Sequence, residues 1–136
     1  MLLAIDFGLK RCGIAVTDAE QIIASPLTMI PSEKLMSWLE QYILQNSLQG
    51  IVLGFPLSMN GEPTHITANV LLLKKALESA FTHVPIHLQD ERFSSKRAAE
   101  AIHLVGKKKQ GRDKGTVDKV SAAIILQDYL NEHGHS

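Results

Sequence analysis

The first apolar stretches of the chain are short and are separated by turn residues, which is typical of strands. They predict three strands, over residues 1–7, 11–17 and about 22–30, and the short connections between these strands predict an antiparallel meander. Two later apolar runs, 51–54 and 84–89, are short and bounded by turn residues, which is typical of buried strands. The pattern therefore predicts five strands.

Helical spacing of apolar residues predicts four helices between and after these strands. The helices are predicted over 32–46, over 64–81, from 94 or 95 to about 105, and from 117 to about 132. Three of them have a hydroxyl residue as their predicted N-cap, namely Ser32, Ser94 or Ser95, and Thr116. The order βββαβαβαα predicts a single α/β domain over residues 1–136, with a five-stranded mixed sheet flanked by helices. Because helical crossovers lead to the fourth and fifth strands, both should run parallel to the first.

Acidic residues stand where the parallel strands are predicted to end. Open sheets of this kind bind ligands beyond the carboxyl ends of their strands, and Asp6 and the pair Asp90-Glu91 lie there. Asp118, in the first turn of the last predicted helix, is a further acid that can reach the same edge. Taken one by one, Asp6 with Gly8 is also typical of a simple turn, and Asp118 is favoured by the helix dipole alone.

A cluster of carboxylates at one sheet edge predicts a metal site. Such carboxylates repel one another unless a hard cation joins them, and oxygen-only ligands suit Mg²⁺ or Mn²⁺. Two such ions about 3.5–4 Å apart activate water and stabilise the leaving oxygen in phosphodiester cleavage. The acids that predict this metal site are Asp6, Asp90, Glu91 and Asp118.

The charges of the chain balance, with 14 Lys and Arg residues against 14 Asp and Glu residues. A neutral protein has no overall attraction to nucleic acid, so binding has to come from local patches. The segment 106–115 is predicted to be a mobile basic loop, which is typical either of a solvated surface or of phosphate contacts. Arg92 lies nearer to the predicted metal site, although it is equally suited to an ion pair with Asp90. The basic residues predicted to bind nucleic acid are Lys10, Arg11, Arg92, Lys107, Lys108, Lys109, Arg112 and Lys114.

Hydropathy and cysteine content predict the compartment. No run of residues approaches the roughly 18 apolar residues of a membrane span, and no signal peptide precedes the first predicted strand. The single cysteine, Cys12, excludes an internal disulfide and fits a reducing environment. These features predict a cytoplasmic protein without a membrane partner.

Four segments, taken together and in this order, resemble the YqgF/RuvX family. They are DFGLKRCGIAV from Asp6, GFPLSMNG from Gly54, DERFSS from Asp90, and KGTVD from Lys114 followed by AAIIL from Ala122. The resemblance covers nearly the whole chain, and the set of four is highly specific although no single segment is. It implies a ribonuclease H-like fold and a divalent-metal-dependent nuclease that uses Mg²⁺ or Mn²⁺.

The resemblance also implies a catalytic set, with Asp6, Glu91 and Asp118 as the acids and Asp90 beside them as a further metal ligand. One departure from the wider fold matters here. Many ribonuclease H-like enzymes place an acid at the end of strand four, where this chain has 54–56, Gly-Phe-Pro. The second carboxylate must therefore come from strand five, and the choice between Asp90 and Glu91 stays open.

The same resemblance implies a nucleic-acid partner, and two substrates are open. The family is described both as a nuclease that matures the 5′ end of pre-16S ribosomal RNA and as a Holliday junction resolvase. Processing of structured RNA is our first prediction, because a neutral chain lacks the broad basic surface that a branched DNA junction would need. A resolvase should be a symmetric dimer, whereas RNA trimming needs only a monomer. A minor alternative is a non-catalytic RNA- or nucleotide-binding module, since Asp-x-Gly before a hairpin also occurs in actin-like ATPases.

Overall fold

The computed structural model describes residues 1–56, 64–90 and 114–133, with the backbone alone for 114–119. Within these residues five strands form one mixed sheet in the order β3-β2-β1-β4-β5. The strands are β1 (Leu2–Asp6), β2 (Arg11–Thr17), β3 (Ala24–Pro31), β4 (Gly50–Phe55) and β5 (Ile86–Asp90). β1 pairs antiparallel with β2 and parallel with β4, and β4 pairs parallel with β5. The predicted meander and the predicted parallel strands are both confirmed.

Three α-helices accompany the sheet in the described part of the chain. They are α1 (Leu35–Gln45), preceded by a 3-10 turn over Ser32–Lys34, then α2 (Thr67–Ala80) and α3 (Lys114–His133). The helix predicted from 94 or 95 to about 105 lies outside the described residues, as do residues 106–113 of the predicted loop. The last two residues of that predicted loop, Lys114 and Gly115, are helical, so its predicted end is wrong.

Three predicted helix starts are wrong by two or three residues. Ser32 does not cap α1, because its hydroxyl bonds instead to the carbonyl of Gly8. α2 begins at Thr67 rather than Thr64, since the Thr67 hydroxyl oxygen accepts the amide of Thr64 in the turn before the helix. α3 begins at Lys114, so Thr116 lies inside it. A cap contributes only about 1 kcal/mol, too little to fix a boundary by itself.

The sheet separates two apolar cores. On one face, Leu3 and Ile5 of β1 pack with buried residues of α1 and α2. On the other face, Leu2 and Ala4 pack with Ala122 and the following apolar residues of α3. This strict alternation along β1 follows from the period of two in a strand, and it fixes the face on which each later residue lies.

Small side chains allow α3 to lie close to the sheet. Ala122 is fully buried and packs with Ala4 and Ala15. None of the described helices is both long and apolar enough to span a lipid bilayer.

Candidate active site at the carboxyl edge of the sheet

Asp6 is the last residue of the central strand β1. It pairs with Gly13 of β2, and the register of β1 with β4 places Gly54 beside it on the other side. Asp6 alternates with Leu2 and Ala4, so it lies on the face that α3 covers. Its side chain is partly exposed.

The turn that follows Asp6 is tightly packed. A Cβ atom added to Gly8 would lie 2.6 Å from the backbone oxygen of Arg11, so no other residue fits there without a shift. Lys10 is exposed and Arg11 is partly exposed. The structure therefore places these two predicted phosphate-binding residues on the turn directly after Asp6.

A serine from another part of the chain holds this turn. The Ser32 hydroxyl donates to the carbonyl oxygen of Gly8 at 2.5 Å, and the Ser32 amide donates to the carbonyl oxygen of Lys10 at 3.0 Å. Nothing in the sequence indicates this contact, because the partners are 24 residues apart and Ser32 has the local pattern of a helix cap. Ser32 is the residue of this region that sequence reasoning placed in the wrong role.

The end of β5 brings Gln89 and Asp90 to the same edge. The His87 ring contacts the Tyr129 ring of α3 in a tilted arrangement with centroids 5.2 Å apart, and the Gln89 amide nitrogen donates to Glu132 of α3 at 2.9 Å. Those two positions therefore lie on the α3 face of the sheet.

Asp90 lies on the opposite face of the sheet from Asp6. Ile86 and Leu88 pack on the side of α1 and α2, and Asp90 continues their alternation at an exposed position. A side chain on the α3 face at this edge would have to come from the position before or after Asp90.

Two strand spacings separate the ends of β1 and β5, because β4 lies between them. At about 4.8 Å per spacing, Asp6 and Asp90 have their Cα atoms roughly 10 Å apart. Between them on the α3 face stands Gly54, which has no side chain and pairs with Gln89. The space over Gly54 is therefore wide enough to hold bound groups between the side chains of β1 and those of β5.

The last turns of α3 contact both ends of this face. Glu132 accepts from Gln89 near the end of β5, whereas Tyr129, Leu130 and His133 line a cavity of about 300 Å³ together with Leu2 and Gln49, at the start of β1 and just before β4. Asp118 is the fifth residue of the helix, so our placement of it in the first turn is wrong. The helix dipole acts mainly within the first turn, so it accounts less well for an acid at this position.

One buried hydroxyl on α3 lacks a partner. Ser121 is 1% exposed, and its Oγ atom makes no hydrogen bond among the described residues. Ser121 lies three residues after Asp118, on the stretch of α3 that packs on the sheet. An unsatisfied buried hydroxyl costs about 1–3 kcal/mol, so it needs an explanation.

Several predicted site residues lie outside the described part of the chain. They are Glu91, Arg92, Lys107, Lys108, Lys109 and Arg112, together with the side chains of Lys114 and Asp118. Among the side chains that are described, no three His, Cys, Asp or Glu residues come close enough to hold a metal ion. Two of the four predicted ligands, Glu91 and Asp118, are not among those side chains.

A family model described as RuvX: Holliday junction resolvase matches residues 1–132. The chain belongs to the RuvX family. This confirms the family that the four sequence segments indicated, and it makes the chain a member of a nuclease family.

Curated relatives of the chain share its full length. A protein of Flavobacterium psychrophilum named "Putative pre-16S rRNA nuclease" is 44% identical over 130 residues, which cover 95% of each chain. A protein of Porphyromonas gingivalis with the same name is 42% identical over 131 residues, covering 96% of this chain and 95% of the relative.

Two solved structures share the fold of this RuvX-family chain. The fowlpox virus resolvase in complex with Holliday junction DNA has a TM-score of 0.58 at 9% identity, covering 96% of this chain and 97% of the resolvase. RuvC of T. thermophilus in complex with a Holliday junction substrate has a TM-score of 0.57 at 14% identity, covering 98% and 97%. At such low identity the likeness concerns the fold alone, and it confirms the predicted ribonuclease H-like class.

Proposed function

We propose that this RuvX-family protein is a divalent-metal-dependent nuclease that processes the 5′ end of pre-16S ribosomal RNA. The observation that carries the proposal is the position of Asp6. It is an acid at the carboxyl end of the central strand, on the face that α3 covers, beside a turn bearing Lys10 and Arg11. The names of the curated relatives support the RNA substrate.

We assign the metal ligands to Asp6, Glu91 and Asp118. Asp90 lies on the other face of the sheet, so in our proposal Glu91, the next residue, supplies the carboxylate from β5. Oxygen donors suit Mg²⁺ or Mn²⁺. The Ser121 hydroxyl, three residues after Asp118 and without a partner among the described residues, fits a site that gains polar groups when it is loaded. When bound, these ions activate water and stabilise the leaving oxygen of a phosphodiester.

Besides holding metal ions, the residues of the proposed site position Asp6 and bind the phosphates of the substrate. The carboxylate of Asp6 is held at the strand end by the ladder to Gly13 and by the tight turn at Gly8, so it needs little reorganisation. In our proposal Arg11 and Arg92 bind a phosphate with two parallel hydrogen bonds each, and Lys10 adds a point charge. In our proposal the other phosphates of the RNA strand are bound by a set of basic residues, which are Lys107, Lys108, Lys109, Arg112 and Lys114.

The cellular setting follows from this assignment. Cys12 is fully buried and forms no disulfide, which suits a reducing compartment. We therefore propose a cytoplasmic protein that meets its RNA where ribosomes assemble, acting as a monomer.

A Holliday junction resolvase is the second candidate function. The description of the matching family model favours it, and both solved structures above contain a resolvase with junction DNA. Cutting two opposed strands needs two active sites related by symmetry, so this candidate requires a homodimer. The oligomeric state in solution therefore separates the two candidates before any substrate is added.

The test offers the purified protein a pre-16S fragment and a four-way DNA junction, each with Mg²⁺ and with Mn²⁺. We expect cleavage of the RNA at one position and no cleavage without a divalent ion. The reverse preference, together with a dimer, would favour the resolvase. Binding without cleavage of either substrate would favour a non-catalytic module.

Asp6→Asn is the decisive variant in this assay. It should abolish hydrolysis and leave the thermal unfolding curve unchanged, because the charge serves the site rather than the packing. Asp18→Asn is the matched control, since Asp18 is an exposed acid in the turn after β2 whose carboxylate accepts backbone amides, as asparagine also can. Full activity in Asp6→Asn, or its unfolding, would contradict the assignment.

A further inference from the structure

Ser32 makes two hydrogen bonds to the turn that follows Asp6. Its hydroxyl donates to Gly8 O at 2.5 Å, and its amide donates to Lys10 O at 3.0 Å. Both acceptors lie between the end of β1 and the start of β2. The residue that anchors them stands just after β3, so the contact ties the turn to a third strand.

The direction of the hydrogen bond from the Ser32 hydroxyl to Gly8 shows that a second donor, the thiol of Cys12, belongs to the same series. Ser32 has one hydroxyl hydrogen, which it gives to Gly8, so its oxygen is left to accept. The Cys12 sulfur lies 3.4 Å from that oxygen, and the thiol is therefore the donor. Cys12 is fully buried in β2. The hydrogen-bonded series of thiol, hydroxyl and carbonyl thus runs from a buried strand to the backbone of the turn.

The turn has little freedom to move away from this anchor. The Gly8 backbone already packs so closely on Arg11 O that an added Cβ would sit 2.6 Å from it. Gly8 is therefore held from one side by packing and from the other by Ser32. A turn fixed in this way sets the position of Asp6, two residues before it, and of Lys10, two residues after it.

We infer that Ser32 is a positioning residue for the nuclease site, acting through the turn after Asp6 without touching the substrate. The inference rests on the proposed function, because it assigns Ser32 a part in the reaction of that same site. Groups that orient catalytic ligands typically cost 10–100-fold when they are removed, and Ser32 should fall in that range.

The experiment compares Ser32→Ala with Ser37→Ala. Ser37 is the matched control because its hydroxyl also donates to a backbone carbonyl, that of Lys34 at 3.1 Å, on the first turn of α1. One hydrogen bond contributes about 1 kcal/mol, so both variants should fold. We expect Ser32→Ala to lower kcat by roughly 10–100-fold with KM unchanged, and Ser37→Ala to leave both constants as they are.

Two further measurements separate positioning from simple stability. Ser32→Thr keeps the hydroxyl and should recover most of kcat. Amide hydrogen exchange of the turn should be faster in Ser32→Ala than in wild type, and this readout does not depend on cleavage. Equal kcat in wild type and Ser32→Ala, or equally slow Ala and Thr variants, would overturn the inference. A wild-type protein that cleaves no substrate would instead refute the proposed function, and the positioning role with it.

Discussion

Replacing Gly8 by alanine tests how closely the turn after Asp6 has to be held. The new Cβ would lie 2.6 Å from Arg11 O, and ordinary van der Waals contact begins at 3.4 Å. The turn must therefore move by about 0.8 Å, and because the obstacle is backbone rather than a flexible side chain, the strain should cost about 1–3 kcal/mol. For a chain of this length, that lowers Tm by roughly 4–12 °C.

The same shift should slow cleavage more than it destabilises the fold. A misplacement of about 1 Å costs roughly 100-fold in rate, so a shift of this size at Asp6 should lower kcat by roughly 10–100-fold. Thermal melting and steady-state cleavage at a temperature well below Tm measure the two effects separately. A Gly8→Ala protein that is folded and cleaves at the wild-type rate would refute the view that this turn positions Asp6.

Gly50→Ala provides the matched control for this substitution. A Cβ at Gly50 would meet the Leu2 Cδ2 atom at 3.0 Å, which is the end of a flexible side chain. Gly50 starts β4, at the edge of the sheet opposite to Asp6. We expect a small loss of stability and normal cleavage, so the comparison shows whether the location of the strain decides its effect on activity.

Two further predictions concern charge. His87 has its pKa lowered first by burial and then by His133 and Lys74, so the unfolded chain takes up its proton at higher pH than the folded one. Stability should therefore fall as pH drops below 6.5. His87→Phe, which keeps an aromatic ring against Tyr129, should weaken this dependence in melting curves recorded at about pH 7.5 and about pH 5.5. The second variant replaces four basic residues by alanine, namely Lys107, Lys108, Lys109 and Arg112. The slope of log affinity against log salt should fall by about 0.7–0.9 for each phosphate that the variant no longer binds. An unchanged slope would show that these residues are solvated and bind no phosphate.

Much of the fold could be predicted because its signals are local. The apolar runs over 1–7 and 11–17 are short and are separated by a tight turn, so the strands, their antiparallel pairing and the position of Asp6 at a strand end all followed from the sequence. The parallel placement of β4 and β5 followed as well, since a helical crossover allows little else. These features depend on the hydrophobic period and on chain connectivity, which a sequence displays directly.

The face on which each acid lies was not predictable in the same way. Alternation predicts that Gln89 and Asp90 point to opposite faces, but only the contacts of His87 and Gln89 with α3 show which face is which. The choice between Asp90 and Glu91 as ligand therefore stayed open in the sequence. It needed tertiary contacts between residues about 42 or 43 positions apart in the chain.

Hydroxyl side chains anchor the backbone beyond the ends of β1 and β4, two of the three parallel strands at the proposed site. Beyond β1, Ser32 donates to Gly8 O, and beyond β4, the buried Thr67 donates to Pro56 O at 2.6 Å. A carbonyl past the end of a strand has no ladder partner, so it needs another donor if it is not to face water. Because both donors are fixed by neighbouring elements, they hold the base of each loop still while the loops themselves differ in sequence and length. Such an arrangement suits a site whose carboxylates must keep their spacing to within about 0.5 Å. Loss of either hydroxyl should then reduce turnover before it reduces folding.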